Sequence, residues 1–291
     1  MEAAGKRHIL YGSMKDEFTI WDLADLHVLS RACAEGRLKS DIEEIRNDPF
    51  ALWLGTGDNG DYIGPADKRF NAKTFASWVK TEDLADIGMT GARRLKEFLE
   101  PIADKCLGMC YGNHEDAYQK KYNQDVHGWL CRELDVPNLQ YSALFDLIFH
   151  RISTDRPKIV DKAPRRKTGR RPGSTAYRVY CHHGAGGATT PGGKLKKLTD
   201  FMERFDADLY FIGHVHGQAY HPMVQIGADR WCKKLVDRVR HGVITGSYLK
   251  TYEQGMTTYG EVRAYAPTTL GMTGLKLKPN HGTAGPVGAR L

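Results

Sequence analysis

The sequence predicts an α/β architecture in one domain, and three observations lead there. Short apolar runs of strand length alternate with longer stretches whose apolar residues recur at helical spacing. The chain has 291 residues, enough to bury a sizeable core without disulfide staples. Its composition, 41 % hydrophobic and 26 % charged, is that of an ordinary globular protein. It excludes a disordered chain, a collagen and a disulfide scaffold.

The elements follow in order. EFTIWDLA (17–24) reads as a short buried strand, and 30–46 as a helix with Leu38, Ile42 and Ile45 on one face, stopped at Asn47-Asp48-Pro49. ALWLG (51–55) is a second strand running into a glycine-rich turn. Residues 82–100 are helical, with Leu84, Ile87, Leu95, Phe98 and Leu99 as the apolar set and Gly88 and Gly91 weakening the middle. CLGMCY (106–111) is a strand and 115–133 a helix. YSALFDLIF (141–149) and AYRVYC (176–181) are strands rich in aromatic and branched residues. KLKKLTDFMERF (194–205) is a helix and DLYFIG (208–213) a buried strand. GVITGSYL and EVRAYA suggest further strands, with Tyr248, Tyr252 and Tyr259 as packing residues. Residues 1–275 form the domain, and 276–291 a Pro- and Gly-rich, poorly ordered tail.

The net charge is +7. Residues 156–172, RPKIVDKAPRRKTGRRP, hold eight basic residues and one acid, which accounts for all of it. Such a segment is either a solvated surface loop or a place where several cations meet a polyanion such as nucleic acid. Arg165, Arg166, Lys167, Arg170 and Arg171 are its candidate nucleic-acid contacts. No apolar stretch is long enough to span a membrane, and the N-terminus has no apolar run of signal-peptide length. The six scattered cysteines show no CxxC pair and are expected as reduced thiols in a cytoplasmic protein.

Five polar motifs each close an apolar run. They are Asp25-Leu-His27, Asp58-Asn-Gly-Asp61, Asn113-His114-Glu115, His182-His183-Gly184 and His214-Val-His216, and they contain six of the twelve histidines. In an extended segment residues i and i+2 point to one side. Asp25 with His27, and His214 with His216, can then each aim two ligands at one point. Carboxylate, imidazole and amide together suit Mn, Fe, Zn, Ni or Co rather than Ca or Mg. Ligands at the carboxyl ends of strands also match where open α/β sheets place their sites. Singly each motif is weak, since a lone DxH or HxH is more often a satisfied surface pair. The five in this order form a strong joint signal.

The order DxH, GDxxD, GNHE, H, GHxH resembles that of the calcineurin-like metallophosphoesterases, over about Phe18 to Gly217. The resemblance implies a sandwich of two mixed β-sheets flanked by helices, holding two divalent metal ions. It implies that Asp25, His27 and His216 bind one metal, and that Asn113, His214 and one histidine of the 182–183 pair bind the other. Asp58 would bridge both. Members with HHP use the first histidine of the pair and members with HG the one before glycine. The VxxH spacing to Val179 favours His182, with His183 as the alternative. His114 would act at the leaving group. Two such cations clamp a phosphate, and a hydroxide held between them attacks the phosphodiester.

Departures narrow the resemblance. Protein Ser/Thr phosphatases of this kind carry GDxVDRG and RGNHE. Here the first reads GDNGDYIG, and Tyr111 stands where the arginine would be. A phosphodiesterase or nuclease is therefore expected. A monoesterase or nucleotide pyrophosphatase is the alternative, and a binding scaffold without catalysis a third reading.

Overall fold

Leu38, Ile42 and Ile45 recur at helical spacing, and in the computed structural model they are buried on one face of a helix. The structure describes residues 1–165, 173–229, 231–281 and 283–286. The strands are β1 (Glu2–Tyr11), β2 (Phe18–Asp22), β3 (Ala51–Thr56), β4 (Cys106–Cys110), β5 (Ser142–Arg151), β6 (Lys158–Val160), β7 (Ser174–His182), β8 (Leu209–Ile212), β9 (Ala219–Ala228), β10 (Leu235–Ile244), β11 (Thr273–Lys278) and β12 (Thr283–Pro286). The helices are α1 (Glu35–Asn47), α2 (Ile87–Leu99), α3 (Asn113–Tyr122), α4 (Val126–Glu133), α5 (Pro191–Arg204) and α6 (Tyr259–Val262).

Among the described residues these strands make two mixed sheets. One has seven strands in the order β6-β1-β5-β7-β8-β10-β9, the other five in the order β12-β11-β2-β3-β4. β2, β3 and β4 run parallel, as do β7, β8 and β10. Alternate residues of the central strands meet in the core between the sheets, including Phe18, Ile20, Leu54, Phe145, Leu147, Phe149, Val179, Phe211 and Leu275. α1, α2 and α4 cover the other face of the five-stranded sheet, through contacts such as Leu38, Leu95, Phe98 and Leu130 with Trp53 and Met109. Leu198 and Met202 of α5 cover Tyr180, Tyr210 and Ile212 of the seven-stranded sheet. The expected sandwich flanked by helices is the observed architecture.

The details differ in several places, and β1, β6 and β9 have no counterpart in the elements read from the sequence. The stretch 82–100 opens as a 3₁₀ segment, Thr81–Asp86, before α2 begins. The stretch 115–133 is two helices, because Asn123 takes the left-handed conformation that ends α3. EVRAYA is no strand: Thr258 accepts from the Glu261 amide and caps the short helix α6 instead. The boundary placed at 276 falls inside β11, which pairs with β2 and buries Leu275 and Leu277 in the core. Tyr248 is buried, whereas Tyr252 and Tyr259 are exposed. Of the basic segment, Arg165 is exposed, and Arg166, Lys167, Arg170 and Arg171 lie outside the described residues. No helix among the described residues is long and apolar enough to cross a membrane.

His127, on α4, makes the fold acid-sensitive. It is buried, and burial pushes its imidazole down to about 4. The unfolded chain takes up this proton near 6.5 and the native state does not. Stability is therefore intact above pH 6.5 and falls by roughly 3 kcal/mol as pH drops toward 4. His127→Gln should flatten that dependence, read as urea midpoints at pH 7 and pH 4.5. An equally steep loss in the variant would assign the acid sensitivity to other groups.

Candidate metal centre

The parallel strands deliver their following residues to one edge of the sandwich. Asp25 lies just beyond β2, Asp58 beyond β3, Asn113 beyond β4, His183 beyond β7, and His214 and His216 beyond β8. Four of these residues and His27 turn the chain sharply. Asp25, His27, Asp58, His214 and His216 all have left-handed backbone, with φ between 46° and 70°. Each such residue costs on the order of 1–3 kcal/mol. Hydrogen bonds from neighbouring segments hold these turns. The Asp25 carbonyl accepts from the Tyr248 amide at 2.9 Å and from the Ser247 hydroxyl at 3.1 Å. The Asp58 carboxylate accepts from the His114 amide at 2.9 Å. Gly112 leaves room for this, since a Cβ there would sit 2.1 Å from Asp58 Oδ1.

Three donor groups result, the third of them His27, Asp61 and His114. Asp25, His27 and His216 offer ligand atoms within 4.8 Å of one another, and so do Asp58, His183 and His214. His216 Nε2 is 3.2 Å from Asp25 Oδ1. His183 Nε2 is 3.0 Å from Asn113 Oδ1, 3.2 Å from His214 Nδ1 and 3.3 Å from Asp58 Oδ2. The DxH pair thus converges on one point as the spacing predicts. The HxH pair does not: His214 joins the second group and His216 the first. The chain turns left-handed at all four residues of the two pairs, so the extended geometry behind the i, i+2 argument is absent from both, and the Asp25–His27 convergence comes from the turn rather than from strand alternation.

His182 is the second correction. Its Nδ1 accepts the Gly184 amide at 2.6 Å, and its ring lies 4.7 Å from that of Phe201. The histidine that reaches Asn113, Asp58 and His214 is His183, weighed in the sequence only as the alternative. Consecutive residues at a strand end point to opposite sides, and here the second one points inward.

The donor set fits divalent metal. His183 donates Nδ1–H to the Thr56 carbonyl at 2.8 Å, which leaves Nε2 to face the cluster. His27 faces Asp61 Oδ1 with Nδ1 at 3.3 Å, and its buried Nε2 has no hydrogen-bond partner. Both rings are fixed by a second contact in the way ligand imidazoles are. The electrostatics also call for positive charge. Burial pulls His183 down, but the Asp58 carboxylate and its hydrogen bond more than reverse this and hold the ring at about 9. Burial would raise the Asp58 carboxyl, yet His183 and His114 hold it well below the usual range. Imidazole, carboxylate and amide donors suit Mn, Fe, Co, Ni or Zn.

His114 lies at the rim, in the third group with His27 and Asp61 rather than in either of the other two. Its Nδ1 donates to the Asp61 carbonyl at 2.6 Å. Burial opposes its charge, but Asp58 and Asp61 raise its pKa above the ordinary value. Lys194 lies beside the first group, its Nζ donating to the His216 carbonyl at 2.9 Å. Several supporting residues carried no assigned role in the sequence. Asp61 orients His27 and His114, and its place in GDNGD was the available signal. Glu115 accepts from the Asn59 and Gly112 amides at 2.7 and 2.8 Å and ties two motifs together. Thr56 and Ser247 had no signal, since a backbone carbonyl and a distant loop hydroxyl leave no trace in spacing.

No protein-family model matches this chain, and no curated protein matches it. Solved structures do. A single mutant of Vps29 from Entamoeba histolytica is 11 % identical over 89 % of this chain and 85 % of that one, with a TM-score of 0.38. Wild-type Vps29 from the same organism, complexed with Zn²⁺, is 10 % identical over 89 % and 85 %, at 0.37. A conserved uncharacterized protein of Streptococcus pneumoniae TIGR4, a predicted phosphoesterase, is 10 % identical over 90 % and 84 %, at 0.33.

Proposed function

We propose that this chain is a phosphoric-ester hydrolase that uses two divalent metal ions and acts on phosphodiesters. The observation that carries the reading is the pair of adjacent donor groups with histidine nitrogens turned toward buried carboxylates. Asp25, His27 and His216 would hold one ion and Asn113, His183 and His214 the other, with Asp58 shared. Bound there, such ions supply Lewis acidity to a phosphoryl group and activate water near neutral pH. The protein's own part is to place the substrate and manage the leaving group. His114, its pKa raised by Asp58 and Asp61, presents an N–H that can neutralise charge on the departing oxygen. Lys194 supplies a cation beside His216. The basic segment 156–172 extends the reading to polynucleotides, and the unpaired cysteines to a cytoplasmic setting.

Turnover of bis(p-nitrophenyl) phosphate against p-nitrophenyl phosphate, with and without Mn²⁺, tests the reading. Diester turnover that needs metal supports it. Preference for the monoester would favour the monoesterase or pyrophosphatase alternative, and no turnover with metal bound would favour a scaffold.

His114→Ala should retain both metals. Its rate should fall steeply for alkoxide leaving groups and little for p-nitrophenolate, which departs without help. Equal losses across leaving groups would make His114 a positioning residue.

A further inference from the structure

Strands β9 and β10 pair along their whole length, from Ala219 opposite Ile244 to Ala228 opposite Leu235. The root of this hairpin belongs to the sandwich: Val243 is buried in the inter-sheet core and Tyr220 packs against it. Opposite residues share a face, and so do alternate ones. The core-facing side therefore continues outward through Val224 opposite Val239, Ile226 opposite Asp237 and Ala228 opposite Leu235. Among the described residues nothing covers it there. Val224 is 59 % exposed, Ile226 71 % and Leu235 81 %.

The edge beside this stripe is also open, since β9 is the last strand of its sheet among the described residues. The Asp229 amide donates to the Lys234 carbonyl at 2.9 Å. By alternation, odd-numbered residues of β9 turn their backbone groups toward β10 and even-numbered ones outward. Val224, Ile226 and Ala228 thus offer both an apolar side chain and an outward N–H and C=O. Pro222 falls in the same series, with its missing N–H on the open side, where an edge strand tolerates proline. β9 contains no Lys, Arg, Asp or Glu, so Pro222 is the one residue of β9 of the kinds that keep an edge from pairing.

We propose that a second copy of this chain docks here, β9 antiparallel to the partner's β9 about a two-fold axis at Gln225, joining the two seven-stranded sheets. Val224 then pairs with the partner's Ile226 and Ile226 with the partner's Val224. This self-complementary register is what an isologous contact needs. The axis runs perpendicular to the sheet, so each apolar stripe comes to lie on the side of the partner's five-stranded sheet. The stripe brings the exposed side chains of Val224, Ile226, Leu235 and Val239 to the seam beside the edge; a specific interface needs roughly 1,000 Å² in all.

Sedimentation of the full chain tests this directly. The wild type should run as a dimer of twice 32.7 kDa. Ile226→Pro removes one outward N–H, and Ile226→Lys sets a charge in the seam. Each should weaken association by about tenfold or more with an unchanged circular dichroism spectrum. In a Cys232→Ser background, Gln225→Cys should crosslink to itself on mild oxidation, because residues at the axis face each other at about 4.5 Å. A wild type that stays monomeric at high micromolar concentration would overturn the proposal, even if the hairpin then bound lipid or another protein. So would a dimer that survives both substitutions at 226, or an absence of crosslinking.

Discussion

Asp58→Asn should lose at least one metal and slow phosphodiester turnover by about a hundredfold or more, close to 3 kcal/mol in the barrier. The substitution keeps the size of the side chain and removes its charge. That charge is buried and faces His183, and it helps raise the pKa of His114. One change therefore weakens the second donor group and the leaving-group imidazole together. The Asn side chain still has an oxygen to accept the His114 amide, so the fold should persist. Near-normal turnover and metal content in this variant would remove Asp58 from the shared position.

The histidine pair gives the second large effect. His183→Ala deletes the ring that meets Asn113, Asp58 and His214 and leaves the Thr56 carbonyl without its donor. It should bring metal content to about one per chain and turnover down by about a hundredfold or more. His182→Ala removes a ring packed on Phe201 and bonded to the Gly184 amide. It should keep full metal content and stay within several-fold of the wild-type rate. Metal analysis and turnover of the two variants side by side decide it, and the opposite pattern would return the ligand role to His182.

The site was more legible than the edges of the fold. Each ligand motif closes an apolar run that parallel packing later brings to one place, so DxH, GDNGD, GNHE and GHVH could be read in order. Spacing failed at His214 and His216, which divide between the two groups, and where adjacent residues take opposite sides, as at His182 and His183. β9 was missed; it contains Pro222 and Gly227, which an edge strand accommodates. β11 was hidden by the glycines and prolines around it, and only its pairing with β2 shows why Leu275 and Leu277 are apolar. EVRAYA alternates like a strand, but the Thr258 cap wins over that pattern.

The central claim is that two cations sit side by side on these residues. Isothermal titration of the metal-stripped chain with Mn²⁺, run on the wild type and on Asp58→Asn, measures it most directly. The account predicts two ions per wild-type chain and fewer in the variant, with diester turnover rising only as the second ion binds. A wild-type stoichiometry of one or none, or full turnover in the stripped chain, would contradict it.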